Sequence, residues 1–296
     1  MSKQCYGVVG LGAMGMGMAQ SMVKEGLETW GCDLNPKALE TFKAAGGKVA
    51  KDVHELVSKA DVIFLVVVNA EQVEAVLFTS GAFEKIKAGA VVIVCSTVKP
   101  EYAESVGERL AKRNILMLDA PISGGAVKAS QGQITVMASG PQEAFDKAQK
   151  GLDAVAAKVY CLGKEAGKGS GMKVVNQLLA GVHIAAAAEA LAFGIRMGLD
   201  PEKVYEVITN AAGNSWMFEN RVPHILANDY TPLSAVDIFV KDLNIVLDTA
   251  RKVSFPAPLS AAAHQQFIHA SGAGFGREDD SAVIKVFPGI KLPKGK

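Results

Sequence analysis

Residues Gly167 to Gly198 read GKGSGMKVVNQLLAGVHIAAAAEALAFGIRMG, without a proline. A run of that length predicts a helix about 40 Å long, enough to cross a whole domain. Val174, Val175, Leu178, Leu179, Val182, Ile184, Leu191 and Phe193 leave it no continuous polar face, which predicts a rod buried on every side. Its first turns nevertheless carry Lys173, Asn176 and Gln177, spaced so that both amides lie about one turn beyond the lysine. An amine and two amides in an apolar setting cost stability unless something compensates them, so this cluster marks a candidate site. A membrane span is disfavoured by the alanine content and by Asn176, Gln177, His183 and Glu189 within the run. His183 is expected to be a hydrogen-bonded core histidine rather than a ligand.

On the N-terminal side of the rod, short β-branched runs alternate with helical patterns. Strands are expected at 6–9, 29–32, 62–67, 91–95, 115–119, 134–138 and 159–162, and helices at 14–25, 36–45, 70–77, 101–112 and 141–155. Near-continuously apolar strands separated by helices predict a doubly wound, mostly parallel sheet covered on both faces. On the C-terminal side the strand signal disappears, and helices are expected at 201–210, 218–226, 237–253 and 258–271. The expected organisation is therefore α/β. A nucleotide-binding type of domain spans 1–163, an all-α domain spans 164–296, and the long helix joins them.

Composition narrows the class. The 296 residues carry 31 basic and 30 acidic side chains and a formal net charge of +1. That balance offers no footprint for nucleic acid or for an anionic membrane surface. Cys5, Cys32, Cys95 and Cys161 are scattered, mostly in apolar runs, which suits reduced core thiols and a cytoplasmic setting. No metal-type spacing of cysteine and histidine occurs, so no metal is expected.

Gly10, Leu11, Gly12, Ala13, Met14 and Gly15 form G-x-G-x-x-G between a predicted strand and a predicted helix. In that context the first glycine permits the tight turn and the second lets backbone approach a pyrophosphate. The third allows close packing of helix on strand. The amides at the helix start would hold the phosphates, with Met14 close enough to touch the cofactor. Asp33 ends the second strand, where a carboxylate accepts the ribose hydroxyls of an adenosine and repels a 2′-phosphate; NAD is the expected cofactor.

Ligands of doubly wound sheets lie beyond the carboxyl ends of the strands. Those ends here carry Val68-Asn69, Ser96-Thr97 and Ser123-Gly124-Gly125. The last is a run of exposed amide donors able to clasp a carboxylate.

GLGAMG, CST followed by Pro100, DAPISGG, GSGMKVVNQ and FVKDL stand in this order along the chain. Together they resemble the β-hydroxyacid dehydrogenase family, which includes 3-hydroxyisobutyrate dehydrogenases and tartronate semialdehyde reductases. The resemblance covers essentially the whole chain. It implies a Rossmann domain followed by an all-helical domain, and assembly into homodimers or homotetramers. It also implies roles: Lys173 as catalytic acid/base, Ser123, Gly124 and Gly125 on the substrate carboxylate, and Asn176 with Gln177 orienting the substrate. Thr97 and Lys241 would contact the cofactor alongside the Val68-Asn69 strand end, with Asp242 supporting nearby. Many relatives carry Asn where Gln177 stands. NADP-using relatives have an Asn-Arg pair where this chain has Asp33-Leu34.

The implied reaction is oxidation of a small hydroxy acid with NAD. L-threonate to 2-oxo-tetronate comes first; 3-hydroxyisobutyrate and tartronate semialdehyde chemistry are the alternatives, and a non-catalytic dinucleotide-sensing scaffold is a further one. An ordinary lysine, with a pKa of about 10.4, is almost fully protonated at neutral pH. As a base, Lys173 would need an environment that disfavours its ammonium, and apolar neighbours with a helix N-terminus are of that kind.

The Asp33 carboxylate predicts that NAD+ exceeds NADP+ in kcat/KM by about two orders of magnitude, the usual scale of a like-charge clash. Initial rates of reduced-nicotinamide absorbance with each dinucleotide measure this, and parity would contradict it.

Overall fold

The computed structural model describes residues 4–295. The chain forms two compact units, the first ending at Lys173 and the second beginning at Val174.

In the first unit the elements run β1 (Cys5–Val9), α1 (Ala13–Lys24), β2 (Glu28–Cys32), α2 (Pro36–Ala44), β3 (Lys48–Val49), α3 (Val53–Lys59), β4 (Val62–Leu65), α4 (Ala70–Glu74) and β5 (Val91–Val94). There follow α5 (Pro100–Ala111), β6 (Leu116–Asp119), β7 (Ile122–Ser123), α6 (Gly125–Ser130), β8 (Ile134–Ala138), α7 (Gln142–Val155) and β9 (Ala156–Cys161). Six strands make an all-parallel sheet in the order β3-β2-β1-β4-β5-β6, the doubly wound arrangement expected. Alternation along each strand divides the core in two. Val62, Phe64, Val91 and Ile93 enter one layer, packed against α1 and α7 residues such as Met18 and Leu152. Ile63, Leu65, Val92 and Val94 enter the other, packed against Leu56, Val106 and Leu110.

The strands expected at 134–138 and 159–162 leave that sheet. They form a separate three-stranded sheet, β7-β8-β9, in which β7 runs antiparallel to β8. Asp119 and Ser139 exchange backbone hydrogen bonds of 2.9 Å in both directions, which seals the second sheet onto the end of β6. The two-residue strands β3 and β7 and the short helices α3 and α6 carry too few residues for a periodic signal.

Helix α8 (Lys168–Arg196) starts in the first unit and supplies most of its length to the second. The first unit thus runs ten residues past the expected boundary at 163, because the start of α8 is bonded to β6. The Asp119 carboxylate accepts from the amides of Gly167 and Ser170, both at 2.8 Å, and from the Ser170 hydroxyl at 2.7 Å. The Ser139 hydroxyl accepts from the Gly169 amide at 3.0 Å. Only glycine fits at 169, since a Cβ there would lie 2.3 Å from the Asp119 carbonyl oxygen and 2.5 Å from that of Met137. Burial pushes the Asp119 pKa up, while the hydrogen bonds from Ser170 and Gly167 pull it down.

The second unit is helical, as expected: the remainder of α8, then α9 (Pro201–Ile208), α10 (Trp216–Ala227), α11 (Val236–Lys252), α12 (Pro258–Ala270) and a 3₁₀ turn at Asp280–Val286. Leu191, Val222, Leu243 and Phe267 meet in its core, and the rings of Phe239 and Phe267 stack at 5.2 Å. The expectation that α8 is buried all round does not hold. Val175, Leu179, Phe193 and Met197 are about half exposed or more, because the elements of the chain cover only one side of the helix. Among the described residues α8 is the one helix long and apolar enough to cross a membrane, and half of its apolar window is buried within the protein. His183 is partly exposed, with no hydrogen bond among the described residues, which corrects its reading as a bonded core histidine.

Two buried ionic contacts close the second unit. Asp280 faces Arg221, with Oδ1 2.5 Å from Nε and Oδ2 3.0 Å from a terminal nitrogen. Asp279 lies 3.1 Å from His224 Nδ1 and also accepts from the Ser281 hydroxyl. Burial works to raise the Asp279 pKa, but His224 and Ser281 outweigh it and hold it down to about 2. The Asp279 hydrogen bond raises His224 above its ordinary value, and burial pushes Asp280 up to about 6 against the pull of Arg221.

Two predictions follow from these contacts. Asp119→Ala leaves two amides and a hydroxyl buried without partners and should cost roughly 3 kcal/mol or more, read from the urea midpoint. For the second unit the signs differ by residue. A raised His224 pKa stabilises fully below about pH 6.5 and loses that contribution as pH rises through its folded value. Asp280 slopes the same way between about pH 4 and 6, and the depressed Asp279 matters only below about pH 4. Urea midpoints should therefore fall from pH 6 to pH 9, and His224→Gln should flatten that decline; an unchanged slope would contradict the assignment.

Candidate active site

The glycine turn is shaped by close approach. Gly10 has φ +93°, and a Cβ there would lie 2.4 Å from the Val66 carbonyl oxygen. A Cβ at Gly15 would lie 1.9 Å from the Gly10 carbonyl oxygen, so strand and helix could not pack as they do. Gly12, at the N-cap of α1, is different: a Cβ there would meet nothing within 4 Å. Space at the uncapped start of a twelve-residue helix is what a pyrophosphate needs. The residues present thus fit a dinucleotide. Ala13 beside it is exposed, and Met14 is partly buried against the core.

Asp33 is fixed by two backbone amides, accepting from Leu11 at 2.6 Å and from Asn35 at 2.7 Å. It therefore ties the end of β2 to the middle of the glycine turn. The N-cap of α2 is Asn35, whose side chain accepts from Lys37. Asp33 stays partly exposed, with lone pairs left over for further donors.

Beyond β4, Val68 is exposed and donates its amide to Gln72 Oε1 at 2.8 Å, while Asn69 caps α4 by accepting from the Gln72 amide at 2.9 Å. The Ser96 hydroxyl donates to the Val67 carbonyl at 2.7 Å, drawing the ends of β4 and β5 together beside the partly buried Thr97.

Ser123 ends β7, and Gly124 and Gly125 follow with φ of +136° and +78°. This left-handed pair turns the chain into α6 and leaves Gly125 exposed. Lys173 comes to the same place. It is 7% exposed, and its Nζ donates to the Ile122 carbonyl at 2.7 Å, one residue before the Ser-Gly-Gly turn. The amine does not snorkel to solvent; it is held inside the first unit on main-chain oxygen. Asp119 was missing from the sequence reading as a functional residue, although it bonds the helix start that carries Lys173. Its signal was a lone carboxylate closing an apolar strand.

Further along α8, in the second unit, Asn176 Nδ2 donates to Gln177 Oε1 at 2.8 Å. Gln177 Nε2 donates to Asp242 Oδ2 at 2.5 Å. Lys241 forms an ion pair with Asp242 Oδ1 at 2.6 Å. Among the described residues no group of His, Cys, Asp and Glu is arranged to hold a metal ion.

Comparison with known proteins places the chain in a family. Residues 5–163 match the family described as the NAD binding domain of 6-phosphogluconate dehydrogenase. Residues 167–287 match the family described as NAD-binding of NADP-dependent 3-hydroxyisobutyrate dehydrogenase. The L-threonate dehydrogenase of Cupriavidus necator is 60% identical over 97% of this chain and 97% of its own. The L-threonate dehydrogenase of Escherichia coli is 53% identical over 98% of this chain and 97% of its own. A crystal structure of 3-hydroxyisobutyrate dehydrogenase from Salmonella typhimurium superposes with a TM-score of 0.93 at 52% identity, covering 96% of this chain and all of that one. With an open glycine turn on a doubly wound sheet, a buried lysine beside a Ser-Gly-Gly turn and full-length relatives of this kind, the chain belongs to the 3-hydroxyisobutyrate dehydrogenase-like family of β-hydroxyacid dehydrogenases, oxidoreductases that use a nicotinamide dinucleotide.

Proposed function

We propose that the protein oxidises L-threonate to 2-oxo-tetronate with NAD+, Lys173 taking the hydroxyl proton. The observation that carries this reading is the buried Lys173 amine, anchored 2.7 Å from the Ile122 carbonyl immediately before Ser123-Gly124-Gly125. A carboxylate clasped by the serine hydroxyl and glycine amides brings the neighbouring carbinol within reach of that amine. Bound NAD+ supplies the hydride acceptor. Gly10 to Gly15 hold its pyrophosphate, with Leu11, Ala13 and Met14 lining the turn. Asp33 takes the adenosine ribose, which favours NAD over NADP, and Val68, Asn69, Thr97 and Lys241 are further cofactor contacts. Asn176 and Gln177 orient the substrate.

The choice of L-threonate draws on the two relatives named for that acid. Oxidation of 3-hydroxyisobutyrate is the second reading, favoured by the name of the Salmonella structure. The exposed apolar stripe of α8, with Val175, Leu179 and Phe193, continues to Met197 just past its end and supports assembly into a homodimer or homotetramer. Four unpaired cysteines suit a cytoplasmic enzyme.

Lys173→Ala should lower kcat by about three orders of magnitude or more while leaving NAD+ affinity within a few-fold, measured by steady-state rates and fluorescence titration. Turnover equal to wild type would remove the chemical basis of the proposal. A panel of L-threonate, D-glycerate and 3-hydroxyisobutyrate, assayed with NAD+, separates the two substrate readings.

A further inference from the structure

Asn176, Gln177, Asp242 and Lys241 form one relay, and its chemistry fixes the direction of every hydrogen bond in it. Lys241 has only donors and lies 2.6 Å from Asp242 Oδ1, an ionic contact in which that oxygen has no hydrogen bond. Asp242 is 2% exposed, and a carboxylate paired with an ammonium only accepts. The Gln177 atom 2.5 Å from Oδ2 is therefore its NH2 group. The other end of the Gln177 amide is then its carbonyl, and it requires a donor. Asn176 supplies one from Nδ2 at 2.8 Å. What remains at the end of the chain is the Asn176 carbonyl oxygen, on a partly exposed side chain and without a hydrogen bond among the described residues.

We infer that Asp242 is a positioning residue that sets the polarity of this relay, so that Asn176 offers substrate an acceptor rather than a donor. An acceptor there recognises a hydroxyl on the acid other than the one being oxidised. The inference rests on the proposed hydroxyacid oxidation and narrows its substrate class to polyhydroxy acids. An acid whose only hydroxyl is the reacting one leaves the oxygen unused.

The polarity can be reversed. In Asp242→Asn the new amide turns its oxygen to the Lys241 ammonium and its NH2 to Gln177. The Gln177 amide flips in response, then that of Asn176, and an NH2 group now meets the substrate. Adding Gln177→Glu restores the original sense, because the introduced carboxylate accepts from both neighbours. The double variant also keeps the net charge of the pair.

The experiment compares kcat/KM for L-threonate and its deoxy analogues lacking one non-reacting hydroxyl, in wild type, Asp242→Asn and Asp242→Asn/Gln177→Glu. The ratio between substrates is the readout, so a loss common to both acids cancels. Wild type should favour L-threonate over one deoxy analogue by at least tenfold. Asp242→Asn should reduce that preference about tenfold, mainly through KM, and the double variant should recover most of it. A ratio unmoved in Asp242→Asn, or lost and not recovered in the double variant, overturns the relay. Wild-type inactivity on every acid overturns instead the functional reading beneath it. Circular dichroism and thermal melts establish that each variant is folded, and an Asp242→Asn that does not fold overturns the claim that the residue acts by orientation.

Discussion

One buried carboxylate fastens the start of the long helix to strand β6 within the first unit. Asp119 closes the apolar strand β6, fully buried, and its two oxygens accept from Gly167 and from Ser170 at the start of α8. A helix start has amides with no partner of their own, and a carboxylate with no water needs donors. Each solves the problem of the other. The backbone exchange between Asp119 and Ser139 then brings β8 to the same point, so sheet, second sheet and helix are joined within a few residues.

From that junction the site follows by geometry. Lys173 lies one turn beyond the last amide bonded to Asp119, and this brings its amine onto the Ile122 carbonyl. The glycine turn is built on the same principle of enforced proximity, with the Gly10 carbonyl filling the space where a side chain at 15 would go. Asp33 adds a second brace by holding the Leu11 amide. Preorganisation of this kind is what catalysis by position requires, since no group has to be gathered when ligand arrives.

The sequence disclosed the architecture because that architecture is periodic. Alternating apolar strands, the G-x-G-x-x-G turn and a 29-residue helix each leave a pattern long enough to recognise. Strands β3 and β7 are two residues each and leave none. The candidate residues were legible as chemistry out of place: a lysine and two amides in an apolar helix, a carboxylate at a strand end. Their partners were not. That Asp119 bonds Ser170, 51 residues away, or that Gln177 reaches Asp242, 65 residues away, is a fact of tertiary structure alone. The exposed side of α8 was misread for a related reason: hydrophobicity says that a face avoids water, not which chain covers it.

The partner of Lys173 is main chain, and this has an evolutionary consequence. A point mutation at 122 alters the isoleucine side chain but not the carbonyl that accepts the amine's hydrogen bond. The seat of the proposed base is thereby written into backbone path rather than residue identity. Descendants of such a scaffold are free to exchange the side chains around the amine while inheriting the same seat for it.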